Sequence, residues 1–310
     1  MTTPTEQKTI CRATGLLVIE VRNANPNGNP DSESDPRQRP DGRGEISPVS
    51  FKRKLRDLIE DRTVVWQEIS RTLGLDDDSF HILESRNRGF GDVQDTSEAW
   101  KEVVKLAATD GGKALAQRYW DARVFGSTFL EKGESGNSEE SATTKQRSYI
   151  RTGVVQFGIG VSLAPIEINR ATWTKKAPAE ESKDRGMAPL ASRTVAHAVY
   201  CMPFFINPSA AAKSYCSTRD IEVLLRLIKY AYAHTRSVPR AGVEIRHAWY
   251  IEHLSPLGSC SEFALIDALT PKKKEPVDQP SASWQDYVVP TALPNELQSK
   301  VQPLRDLMTE

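Results

Sequence analysis

The densest run of residues able to do chemistry is Lys52-Arg53-Lys54-Leu55-Arg56, four cations in five positions. In a helix Lys52 and Arg56 stand one turn apart with Arg53 beside them, and an arginine fork grips an oxyanion through two parallel N–H bonds. Such a row suits a phosphate backbone; the alternative is a solvated helix face. Ser50 opens the same helix. Upstream, Asn23-Ala-Asn-Pro-Asn-Gly-Asn-Pro-Asp31 offers the amides of Asn23, Asn25 and Asn27 and the backbone at Gly28. These groups either follow a sugar–phosphate chain or satisfy their own turn. Arg236-Ser-Val-Pro-Arg240-Ala-Gly242 sets two arginines and a glycine in one tight connection, suited to a phosphate or to a helix C-terminus. Arg193 and His197, at the start of a strand, are similarly open. Arg170 and Trp173 lie in a polar, charged segment, where the indole either packs on the body or stacks on a base.

Signals for catalysis are poor. The chain lacks GxxxxGK[ST], GxSxG and HExxH, and its five histidines are dispersed. His247 and His253 share a strand face but stand too far apart to chelate one ion. Asp31 and Asp35 are candidate Mg²⁺ ligands in the first loop, or simply solvated carboxylates. Arg88-Gly-Phe-Gly91 resembles the start of an aromatic RNA-binding box, but Asp92 breaks the match and the segment reads as a loop. The expectation is a binder with no catalytic residue, metal or cofactor.

Strands and helices must position these groups. Thr14–Arg22 is apolar and β-branched and reads as a buried strand. It runs into a long loop as far as Glu45. Ser47-Pro48 then caps an amphipathic helix over 48–60. Val64–Leu73, Ser97–Thr109 and Lys113–Arg123 are further candidate helices, and Glu131–Ser141 reads as a flexible loop. Gly153–Leu163 is a second strand, 164–192 a projecting Pro- and Lys-rich excursion, and Thr194–Ile206 a third strand. Thr218–His234 is a second amphipathic helix and Val243–His253 a fourth strand. A short apolar piece (Phe263–Leu269), a linker at Lys272–Lys274 and a terminal helix, Glu296–Met308, follow. Strand, helix, strand, strand, helix, strand is the α+β order of a ferredoxin-like or RNA-recognition fold. Its sheet is antiparallel, with both helices on one face and the other face free.

Composition bounds the reading. The chain has 310 residues, ample for a core without disulfides, and is 38% hydrophobic. Its 41 Lys and Arg balance 41 Asp and Glu, so nucleic-acid binding must rest on a local patch rather than on net charge. There is no bilayer-length apolar stretch, and the four scattered cysteines (11, 201, 216 and 260) read as thiols in a reducing cytoplasm.

Asn25-Pro-Asn-Gly-Asn-Pro-Asp31 with Phe51-Lys-Arg-Lys-Leu-Arg-Asp57 resembles the backbone subunit of type I CRISPR Cascade complexes, of the I-B/I-C/I-G kind. Asp121-Ala-Arg-Val-Phe-Gly126, Gly153-Val-Val-Gln-Phe157, Val199-Tyr200, His234-Thr-Arg-Ser237 and Ala241-Gly242 extend the resemblance in family order. It implies a non-catalytic, right-hand-shaped subunit, many copies of which stack along one CRISPR RNA and present guide bases to target DNA. On that reading 14–60, 151–163 and 193–270 form the palm, 61–150 the helical fingers, 164–192 the thumb, and 271–310 a linker with a C-terminal helix. RNA would cross the palm, its backbone held by Lys52, Arg53, Arg56 and the 23–31 loop. The thumb around Trp173 would reach the neighbouring copy. Other Cascade subunits (the 5′-end cap, the large and the small subunit) are implied partners, and a membrane is not. Two alternatives stand beside it: a metal-dependent ribonuclease of the type III kind working through Asp31 or Asp35, and a ferredoxin-like assembly protein without nucleic acid.

Overall fold

The computed structural model describes residues 9–85, 106, 112–130, 148–175 and 188–310. The helix expected at Ser97–Thr109 (apart from residue 106), the Arg88–Gly91 segment and the loop at Glu131–Ser141 lie outside them. The expected first strand is β1, Ala13–Ala24, and every residue of it from Ala13 to Val21 is buried. A strand buried on both faces reads as a continuous apolar run, and Leu16-Leu-Val-Ile19 is one. The polar stretch after it is more ordered than expected, because Arg43–Ile46 forms a strand, β2, and bridges tie Gly28 to Pro36 and Gln38 to Gly44.

Helix α1 spans Pro48–Glu60, as its N-cap Ser47 and Pro48 predict. Helix α2 is Val64–Leu73. The expected helix Lys113–Arg123 is two, α3 (Lys113–Arg118) and α4 (Trp120–Phe125), broken where Tyr119 takes extended backbone and bridges His81. A small hairpin follows, β3 (Gly126–Leu130) with β4 (Ser148–Thr152). The second expected strand is split into β5 (Val155–Phe157) and β6 (Gly160–Pro165).

The excursion at 164–192 is the largest departure. Ile168–Lys175 is a strand, β7, paired with the first part of a 19-residue strand β8, Ala188–Ile206. Eight register pairs run from Ile168↔Val195 to Lys175↔Ala188. A segment with few apolar residues is thus held by its own backbone ladder. Helix α5 (Thr218–Ile228) ends earlier than expected, and β9 is Val243–Glu252.

The main sheet runs β9-β1-β8-β6 through its centre, with antiparallel neighbours throughout. This is the order that a strand–helix–strand–strand–helix–strand chain produces. Gly15 in β1 lies under the ring of Phe204, and a Cβ there would fall 2.1 Å from it. On one face Leu17, Ile19 and Val21 pack against Phe51 and Leu55 of α1 and Leu224 and Leu227 of α5.

The other face is not free. Leu16, Val18, Val199, Trp249 and Ile251 pack under Leu265, Leu269, Tyr287, Leu293 and Val301. The covering segment comprises helix α6 (Glu262–Leu269), a two-strand ladder of β10 (Lys272–Lys273) with β11 (Tyr287–Val288), and an irregular run to residue 304. The terminal helix expected over Glu296–Met308 is therefore absent. Asn295–Gln298 makes one turn, Val301 bridges His253, and β12 (Arg305–Asp306) pairs with β9 at the sheet edge. Pro303 has no N–H to continue a helix, and Val301 and Leu307 enter the cores on opposite faces of the sheet. The four cysteines are unpaired, and no described helix is long and apolar enough to cross a membrane.

Two buried ion pairs tie α4 to the helices of the sheet. Arg56 of α1 meets Asp121 at 2.9 Å, with side chains 4% and 1% exposed, and Arg123 meets Asp220 of α5 at 2.7 Å. Asp121 also accepts from the N–H groups of Leu83 and Glu84. Removing one partner of a buried pair strands the other charge, at a cost of about 3–5 kcal/mol. Asp121→Ala should lower the unfolding free energy by that order in urea titration, and a loss below about 1 kcal/mol would show that the pair is not holding this junction.

Candidate nucleic-acid interface

The expected loops meet at one end of the sheet, where β1 ends and β9 begins. Arg22 N–H donates to the Gly242 carbonyl at 2.8 Å, and Asn25 N–H to the Pro239 carbonyl at 2.6 Å. Gly242 permits this approach, since a Cβ there would sit 1.9 Å from the Arg22 oxygen. The 23–36 loop and the Arg236–Gly242 connection are therefore one surface. Asn23 is exposed in the left-handed region at φ 46°, which asparagine tolerates. Asn25 is buried, and its Nδ2 donates to the Ser34 carbonyl at 2.8 Å while its Oδ1 has no hydrogen-bond partner among the described residues.

Asn27 is a structural residue rather than a free ligand. Its Oδ1 accepts from both the N–H and the hydroxyl of Ser47, each at 2.8 Å, which locks the loop onto the helix cap. Gly28 pairs with Pro36, and Ser50 donates its N–H to the Ser47 hydroxyl.

The basic helix differs most from expectation. Arg56 is buried with Asp121 and also meets Glu84 at 3.0 Å, so it offers nothing to a phosphate. Arg53 is held by Asp57 at 2.7 Å and by Glu60. Lys54 is buried. Lys52 has no ion pair among the described residues; its Nζ lies 5.0 Å from the centre of the Phe125 ring. Burial, and then the Arg56 charge, lower its pKa. The helix cations were expected on an outer flank, but α4 packs against that flank and brings Asp121 and Phe125 to it.

His197 is likewise interior. Its Nε2 faces Glu20 Oε1 at 3.2 Å and its Nδ1 faces Ser281 Oγ at 2.8 Å, while Tyr287 donates its hydroxyl to Ser281. A neutral imidazole satisfies the whole chain: Tyr287 O–H to Ser281, Ser281 O–H to Nδ1, and Nε2–H to Glu20. His247 and His253 have separate partners, Asp306 for the first and Thr14 and Ser259 for the second.

The hairpin of β7 and β8 reaches the loop through charge. Arg170 and Arg193 stand opposite each other in register. Arg170 bonds Asp35 at 2.5 Å, and Arg193 bonds Glu33 and lies 3.3 Å from Asp35. Asp35, a metal candidate in the sequence, is therefore an anion for two arginines. The Nε atoms of Arg193 and Arg240 are buried without a hydrogen-bond partner among the described residues. The backbone of Trp173 pairs with Leu190, and its side chain lies outside the described residues.

Arginines that the sequence reading passed over complete the surface. Arg37 donates its N–H to the Asn27 carbonyl, Arg43 begins β2, and neither side chain has an ion pair among the described residues. The same holds for Arg236. Arg22 grips Glu20 through Nε and Nη2 at 2.7 and 2.8 Å. The cue for Arg37 and Arg43 was present, since both lie in the loop between β1 and α1.

The Asp35 pKa is lowered chiefly by the hydrogen bond from Arg170; burial opposes this, and the charges of Arg170 and Arg193 add to the lowering. A depressed carboxylate stabilises above its unfolded pKa, about 3.9, and loses that contribution as pH falls further through the folded value. Protection of the Ile168–Ala171 amides in hydrogen exchange should therefore hold at neutral pH and fall below about pH 4. Asp35→Asn should reproduce the loss at neutral pH; unchanged protection would show that the ladder alone docks the hairpin.

A family model described as CRISPR-associated protein Cas7 matches residues 11–292. A protein of Haloferax volcanii described as "CRISPR-associated protein Cas7" is 25% identical over 222 residues, which cover 70% of this chain and 62% of that one. The chain thus spans less than two thirds of that relative. Among solved structures, a chain of "CRISPR RNA-guided surveillance complex, pre-nicking" is similar with a TM-score of 0.44 and 14% identity, covering 78% of this chain and 79% of that one. A chain of "Cryo-EM structure of the Type III-B Cmr-beta bound to cognate target RNA" has a TM-score of 0.35 and 13% identity, covering 78% and 61%.

Proposed function

The chain belongs to the CRISPR-associated protein Cas7 family, and from that premise we propose that it is the CRISPR-RNA-binding backbone subunit of an effector complex of type I. The observation that carries this reading is that the loop after β1, which carries Arg37 and the exposed Asn23, is hydrogen-bonded to the connection carrying Arg236 and Arg240, and that none of these three arginines has an ion pair among the described residues. Among the described residues no acid holds these cations, which on this reading leaves them for phosphates. The strand follows this end and the base of the hairpin, since both palm faces are covered. Such contacts bind without reading sequence, and guide bases then pair with target DNA. The β7–β8 hairpin, with Arg170 and Trp173, is the thumb that reaches the next copy, and residues 61–150 are the fingers. The subunit is non-catalytic on this reading; in support, Asp35 is engaged by two arginines that compete with any cation.

Purification from a host expressing a CRISPR array should yield protein with nuclease-sensitive RNA; RNA-free protein would favour an assembly role instead. Replacing Arg37, Arg236 and Arg240 together by Gln should weaken single-stranded RNA binding about equally for all sequences. The log–log salt slope should drop by about 2, near 0.7 per lost phosphate contact. A loss limited to particular sequences would contradict phosphate binding. Mg²⁺-dependent cleavage of guide-paired RNA, abolished by Asp31→Ala with Asp35→Ala, would replace this reading by the ribonuclease one.

A further inference from the structure

We propose that the cleft between the end of β1 and residues 282–285 takes one nucleobase of the bound strand; this rests on the RNA-binding reading above. The cleft has a volume of about 330 Å³ and is lined by Arg22, Asn23, His197, Trp284 and Gln285, among others. That volume is at the small end of ligand pockets, enough for one planar group.

The lining is built to hold such a group. Trp284 is fixed from outside: the Arg246 guanidinium lies 4.8 Å from its ring centre and the His247 ring 6.1 Å away. An anchored indole is a ready stacking wall, because every base has a π-face. The side-chain amides of Asn23 and Gln285 form no hydrogen bond with any described residue. Each presents a donor and an acceptor side by side, the pattern a base edge also carries, and either can turn over to suit a different base. The cleft therefore selects for a base without selecting which one. His197 adds shape only, since both its ring nitrogens are engaged.

Charge argues against a phosphate in the same cleft. Glu20, 1% exposed, holds Arg22 by two hydrogen bonds and lies 3.4 Å from Arg246. Burial alone would raise its pKa, but hydrogen bonds from Arg22 and His197 and the charges of Arg22 and Arg246 lower it, so it stays ionised. Asp286, whose carboxylate accepts from the Ala282 and Ser283 N–H groups, adds a second anion beneath. The cations of the cleft are thus already matched, and an entering phosphate would gain little. The unpaired arginines that take phosphates stand next door, since Arg22 is bonded to Gly242, two residues from Arg240.

The test compares a single-stranded RNA with an abasic strand of equal length, both titrated against the full chain. Wild type should bind the base-bearing strand at least about fivefold tighter, the low end of what stacking on an aromatic supplies. Trp284→Leu with Gln285→Ala removes the stacking wall and one of the two amides and should erase about fivefold of that preference while leaving abasic binding unchanged. A 4-thiouridine strand should crosslink to residues 282–285 in wild type. An unchanged base preference in the double variant, with crosslinks falling elsewhere, would overturn the cleft and leave the RNA reading standing. Failure of both strands to bind wild type would overturn both.

Discussion

The central strand β1 is buried on both faces from Ala13 to Val21, and this constraint orders the rest of the molecule. Leu17, Ile19 and Val21 require one apolar layer and Leu16 and Val18 require another. Helices α1 and α5 supply the first. The chain after β9 supplies the second, which is why residues 262–304 lie along the sheet instead of trailing from it. With both faces covered, the polar loops stand at the sheet ends and edges. The loops at Asn23–Ser34 and Arg236–Gly242 occupy such an end, and the β7–β8 hairpin continues from it.

Cation placement follows from the same burial. A guanidinium taken out of water needs an acid beside it, and Arg56 and Arg123 each have one, Asp121 and Asp220. These arginines locate the helical residues against the sheet helices. Cations on loops with no acid in reach keep their charge for solvent or a ligand.

Glu33 and Asp35 give the hairpin a defined root. They bond Arg193 and Arg170, so an arm that leaves the body by its backbone ladder is also pinned by charge at its base. Of the two carboxylates that the sequence offers as metal candidates, Asp35 is in this way committed to positioning. On the opposite face, Glu20 performs a similar service, orienting Arg22 and Arg246 around the cleft under Trp284.

Local signals were enough for the elements of the sheet. The β-branched run at 14–22, the Ser47-Pro48 cap, the amphipathic helix from Thr218 and the four-strand order are set by side-chain periodicity and capping over a few residues, and the structure holds them. The family resemblance was legible too, in motifs such as Asn25–Asp31 and Asp121–Gly126. What only the tertiary structure decided was which polar residues remain free. Arg56 meets an aspartate 65 positions away, and His197 meets a serine 84 positions away. Neither partner is marked in the sequence, because a buried pair is selected by proximity in the fold. The covered second face, the ordered hairpin and the missing terminal helix have the same origin. Short apolar pieces such as Phe263–Leu269 and Tyr287 carry no period long enough to announce their layer, and the apolar second face of β1 and β9 was what required them.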